Sequence, residues 1–154
     1  MSDRWSSEKN SIVGNMPIGQ VMGNGERVPL TGLLRFDPTD PIAITLVVRM
    51  VGDQMVEWTF ARDLLAAGGH QPAGVGDVRI GPSQGDRKWA LTISLTGPEG
   101  QAELELPSRR VGTFLRQTYA AVPAEMEASL IDWGSEFESL LGPQKPTRDG
   151  SPDR

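Results

Sequence analysis

The 154-residue chain contains no cysteine and a single histidine, His70. The missing thiols exclude a disulfide frame, a zinc–thiolate site and a cysteine nucleophile. The lone imidazole falls in a Gly/Pro loop, where no nucleophile or orienting acid is marked beside it, so a histidine triad has no support. Positive charge is also scarce: 15 Lys and Arg stand against 20 Asp and Glu, for a formal net charge of -5. That works against general nucleic-acid binding, which draws its affinity from basic surface that displaces counterions. No apolar run reaches the length of a membrane span, and the longest, residues 42–51, is broken by Thr45 and Arg49. The first ten residues lack the apolar stretch of a signal peptide. A cytoplasmic protein without membrane insertion is expected, and no cofactor or metal site is indicated.

Glycine and proline are plentiful, with 18 and 12 copies, so turns are frequent and short strands are favoured over long helices. Residues 1–10 and 142–154 are polar and unpatterned and are expected to be disordered. Between them, residues 11–141 read as one domain.

Residues 56–65 organise the rest. Val56, Trp58 and Phe60 alternate with Glu57 and Thr59, the period of a strand with one buried face. Ala61-Arg62-Asp63-Leu64-Leu65-Ala66-Ala67 then changes to helix formers and stops at Gly68-Gly69. The segment reads as a pivot between two groups of strands. Trp58 and Phe60 belong to the core, which leaves Glu57, Arg62 and Asp63 as its candidates for partner contact.

On the N-terminal side, residues 11–22 keep no clean period. Pro17 and two glycines make them an irregular or edge strand. Gly23-Asn24-Gly25 signals a turn, and residues 27–36 read as a strand with a bulge at Gly32. Ile42, Ile44, Leu46, Val48 and Met50 line one face of the strongest strand, which Gly52-Asp53-Gln54 turns back into residues 55–60.

On the C-terminal side, residues 77–80, 88–96 and 101–106 form a meander with one wet face. Trp89, Leu91, Ile93 and Leu95 share its apolar side. After Pro107 the period becomes helical. Val111, Phe114, Leu115, Thr118 and Tyr119 form one stripe, and residues 124–141 hold a second helical stretch. The sum is an α+β fold: two antiparallel sheets of about seven to eight strands, a short central helix and a C-terminal helix–loop–helix.

Chemistry is sparse. Glu103 and Glu105 share a strand face, which describes a solvated face better than a catalytic pair. Gly74-Val75-Gly76-Asp77 precedes a strand instead of opening a helix, and is no phosphate cradle. No enzymatic activity is expected. Arg109, Arg110 and Arg116 lie on the first C-terminal helix; Glu125, Glu127, Asp132, Glu136 and Glu138 lie on the second stretch with no Lys or Arg among them. These helices can simply pair as a solvated hairpin. The functional reading is a charged docking face for another protein, with Trp133 as its anchor.

Leu34-Arg35-Phe36-Asp37, Val56-Glu57-Trp58, Phe60-Ala61-Arg62-Asp63-Leu64-Leu65, Gly76-Asp77-Val78-Arg79, Pro98-Glu99-Gly100, Phe114-Leu115 and Val122-Pro123 occur in that order. In these residues the chain resembles the SsgA-like proteins, sporulation and cell-division regulators of filamentous actinobacteria. The sequence departs from the pattern in residues 11–22, at Ile42 where an aromatic is common, and at Gly81 where Trp is common. The resemblance implies a small non-enzymatic adaptor, working as a homotrimer. It would help localise the tubulin-like division protein FtsZ, or the cell-wall synthesis machinery, at sporulation septa. It also implies a fold like that of the whirly-type single-strand nucleic-acid-binding trimers. Single-stranded nucleic-acid binding therefore stands as the alternative, carried only by fold analogy.

Overall fold

The computed structural model describes residues 10–98 and 100–126. The chain divides into two compact units, Met1–Ala121 and Val122–Arg154, and the first contains the whole of the sheet. In chain order it runs β1 (Ile12–Val21), β2 (Arg27–Phe36), β3 (Ala43–Arg49), β4 (Met55–Ala61), α1 (Arg62–Gly68), β5 (Val78–Pro82), β6 (Ala90–Gly97), β7 (Gly100–Pro107) and α2 (Ser108–Ala121). A short 3-10 turn, Gly85–Arg87, lies between β5 and β6.

The α+β class is observed, but the two expected sheets are one. All seven strands join in the order β4-β3-β2-β1-β7-β6-β5, and every pairing is antiparallel. The join is short: Gly19, Gln20 and Val21 of β1 face Glu105, Leu104 and Glu103 of β7. The segment expected to be irregular is thus the middle strand. Pro17 is tolerated because the β7 ladder starts only at Gly19, so beside Pro17 that edge of β1 needs no N–H. Residues 56–65 remain a pivot, between opposite edges of one sheet: β4 ends the order on one side, β5 on the other, and α1 connects them in sequence.

Register fixes which side chains share a face. Met16 and Ile18 of β1, Leu30, Leu34 and Phe36 of β2, Ile44, Leu46 and Val48 of β3, and Phe60 of β4 lie on one side with Ile80, Leu91, Ile93, Leu95, Leu104 and Leu106. All are buried and form the core. Helices α1 and α2 cover this side: Leu65 of α1 and Val111 and Phe114 of α2 are buried. Phe114 lies over β1, where a Cβ on Gly14 would meet its ring 3.0 Å away.

Gly32 forms no bulge. It pairs in continuous register with both Met16 and Val48. A glycine is required there because a Cβ would collide with the Val47 carbonyl and with Cδ1 of Ile18.

The sheet is curled enough to bring its ends together. Trp58, on edge strand β4, extends to the far end of β6, where a Cβ on Gly97 would lie 3.5 Å from Cη2 of the indole. A groove of about 330 Å³ runs along this seam, lined among others by Val56, Trp58, Leu95, Pro98 and Leu104. Trp58 is therefore half-buried at the seam, whereas Phe60 is a full core residue.

In the second unit, residues 124–126 are helical, and the Met126 N–H donates to the Pro123 carbonyl at 3.0 Å. Of the residues expected to be disordered, 1–10 and 142–154, all but Asn10 lie outside the described residues, as does most of the second helical stretch.

Candidate protein-docking surface

Of the sequence-predicted docking residues, Glu125 is described and is exposed; Glu127, Asp132, Trp133, Glu136 and Glu138 lie outside the described residues. Arg110 of the basic helix donates to the Asn15 carbonyl at 3.1 Å, and Arg116 donates to the Thr113 hydroxyl at 3.0 Å.

The pivot segment gives up one of its three candidates. Glu57 is exposed and lies 3.8 Å from Arg35, and Asp63 is exposed. Arg62 is 0% exposed and is a core residue. Its backbone N–H donates to the Ile42 carbonyl at 2.6 Å, which seats α1 against the start of β3. Its guanidinium lies 5.0 Å from the Phe36 ring centroid and 4.1 Å from that of Tyr119. Stacking between rings lets a weakly hydrated planar cation be buried where an ammonium would not be. Arg62 holds the fold together and is not available to a partner.

The second correction concerns Glu103 and Glu105, expected on a wet face. Glu103 is exposed, but Glu105 is 6% exposed and lies between two arginines. Arg27 donates to it through Nε at 2.8 Å and Nη2 at 3.3 Å, and Arg87 donates through Nε at 2.8 Å. The Arg27 hydrogen bond, first of all, holds the Glu105 carboxyl below its ordinary value of 4.5; burial pushes the other way, and the Arg87 hydrogen bond adds to the lowering. No local pattern signals this cluster, because Arg27 lies on β2 and Arg87 in the 3-10 turn.

The third correction is Trp89. Leu91, Ile93 and Leu95 are buried as expected, yet Trp89 is 55% exposed. β6 begins at Ala90, so the strand alternation does not govern the residue before it. Its indole instead lies under the Arg87 guanidinium, 4.6 Å away. Trp89, Arg87, Arg27 and Glu105 border a trough of about 270 Å³ whose walls include Pro17, Pro29 and Pro107.

Among the described residues no three His, Asp or Glu side chains are grouped to hold a metal ion. His70 is exposed. No described helix is long and apolar enough to cross a membrane.

The described surface thus carries an exposed tryptophan held under an arginine, beside a buried carboxylate. Comparison with known proteins gives the family. Residues 30–127 match the family described as "Streptomyces sporulation and cell division protein, SsgA". The chain is 40% identical over 136 residues to a sporulation-specific cell division protein of Frankia casuarinae, covering 88% of this chain and 93% of that one. It is 40% identical over 121 residues to the sporulation-specific cell division protein SsgB of Streptomyces coelicolor, covering 79% and 88%. Among solved structures, an SsgA-like sporulation-specific cell division protein from Thermobifida fusca superposes with a TM-score of 0.71 at 36% identity, covering 85% of this chain and 96% of that one. A structure from work on SsgB mutations and longitudinal cell division during sporulation of Streptomyces coelicolor gives a TM-score of 0.72 at 39% identity, covering 77% and 94%. The chain belongs to the SsgA family of sporulation and cell division proteins.

Proposed function

We propose that the protein is a non-enzymatic adaptor of sporulation-specific cell division. It would bring the tubulin-like division protein FtsZ, or the septal cell-wall machinery, to the septum. The observation that carries the reading is the agreement with proteins named for sporulation-specific cell division over 88% of the chain. The described surface supports it: it includes an exposed tryptophan backed by arginine, residue types that dominate protein-binding hot spots. The adaptor acts in the cytoplasm, concentrates at division septa and works as a homotrimer. A fluorescent fusion expressed in sporulating hyphae tests this. Ladders of foci at nascent septa are expected, and uniform fluorescence from a folded fusion counts against the reading.

Single-stranded nucleic-acid binding is the second reading, favoured by one exposed aromatic beside Arg27 and Arg87. The net charge of -5 weighs against it. Binding of an unstructured oligonucleotide that falls steeply with added salt would replace the adaptor reading with this one.

A further inference from the structure

We infer that the trough beside Trp89 is a docking site for an extended acidic peptide segment carrying an apolar side chain. The inference rests on the adaptor reading above and gives it a surface.

Three observations converge. Trp89 is the one exposed Trp, Tyr or Phe among the described residues, and tryptophan is among the residue types most enriched at binding hot spots. It is also held still: Arg87 stacks on it at 4.6 Å, and the buried Glu105 carboxylate fixes Arg87 at 2.8 Å. A pre-positioned side chain loses little entropy on binding, so its contact area converts efficiently into affinity.

The walls add shape. Pro17, Pro29 and Pro107 border the trough and carry no N–H, so this surface accepts an apolar side chain without stranding a donor. Aromatic-lined grooves are a recurring seat for extended peptides.

Charge selects the chemistry of the occupant. Two guanidiniums share one carboxylate, which leaves a net positive charge here, although the chain as a whole carries -5. The side chains of Arg27 and Arg87 remain 38% and 32% exposed, and a guanidinium has five donors, so each keeps N–H groups that a second carboxylate can meet. The positive spot on an acidic protein attracts acidic segments and repels basic ones. A nucleic-acid strand fits less well. It needs several cations tracking a backbone and successive stacking rings, and here one ring face is already occupied by Arg87.

The test is a titration of the full chain, labelled with 15N, with a synthetic peptide Glu-Asp-Glu-Leu-Pro-Leu-Glu-Asp, followed at the indole and arginine Nε resonances. Saturable shifts at Trp89, Arg87 and Arg27 that weaken with salt are expected. Trp89→Ala should reduce affinity about tenfold or more while leaving the amide spectrum folded, since the residue lies at the surface. Arg87→Lys keeps the charge but loses the planar stack, and should fall between the two. The inference is overturned by equal binding of a Lys-for-Glu/Asp peptide or by shifts confined to the Trp58 seam. It is overturned too by an oligothymidylate moving Trp89 where the peptide does not, or by self-association of the chain burying Trp89 in place of peptide. If the peptide fails while identified division proteins are still recovered with the chain, only this site falls. If the peptide binds and no division protein is recovered, only the proposed function falls.

Discussion

Arg62 donates through Nη1 to the carbonyl of Thr118 at 3.1 Å. The two residues are 56 positions apart and tie the start of α1 to the last turn of α2. Thr118 carries one of the final four carbonyls of its helix, which have no partner within it, and a cation there also meets the negative end of the helix dipole. One side chain thus seats both helices on the sheet and lies between the rings of Phe36 and Tyr119.

Arg62→Ala should therefore destabilise the protein by roughly 3 kcal/mol, through the lost stacking, the void and the stranded carbonyl. Arg62→Lys should retain only part of this, because an ammonium cannot stack on both rings. Urea unfolding followed by circular dichroism measures both. A loss within experimental error for Arg62→Ala would contradict the structural role.

Glu105 sets a pH dependence. Its carboxyl titrates below its ordinary value of 4.5, chiefly because Arg27 hydrogen-bonds the charged form. The folded group thus titrates below the unfolded one. Its contribution is whole above the unfolded value and fades as pH falls through the folded one. The melting temperature should drop on acidification below about 4.5, and Glu105→Gln should flatten that part of the profile while lowering the plateau near neutrality. Parallel profiles for the two proteins would rule out the assignment.

Gly32→Val tests the close approach at the centre of the sheet. The new side chain would drive into the Val47 carbonyl and Ile18. A cost of about 2–3 kcal/mol is expected, opposite in sign to the usual benefit of valine in a strand. Thermal unfolding against wild type decides it.

Much of this architecture was legible from alternation. Ile44, Leu46 and Val48, and Leu91, Ile93 and Leu95, announce their buried faces, and the change of period after Phe60 announces α1. What escaped depends on distant partners. β1 carries Gly14, Pro17 and Gly19, which dilute its pattern, and only its neighbours on both sides reveal that it is central. Glu103 and Glu105 look alike in the sequence; the difference is Arg27, 78 positions from Glu105, and Arg87, 18 positions away. Arg62 reads as a surface charge until Phe36 and Tyr119 are placed around it. Trp89 continues the alternation of β6 by one residue, but the ladder stops at Ala90 and Arg87 draws the indole outward. Local period specifies which strands form, whereas the site arises where strands remote in sequence meet.

The adaptor function is tested most directly by affinity capture from extracts of sporulating hyphae, with the folded full-length chain as bait and captured proteins identified by mass spectrometry. Recovery of FtsZ or septal wall-synthesis proteins above a matched control is expected. Recovery of none of these by a bait that retains its native circular dichroism spectrum would contradict it.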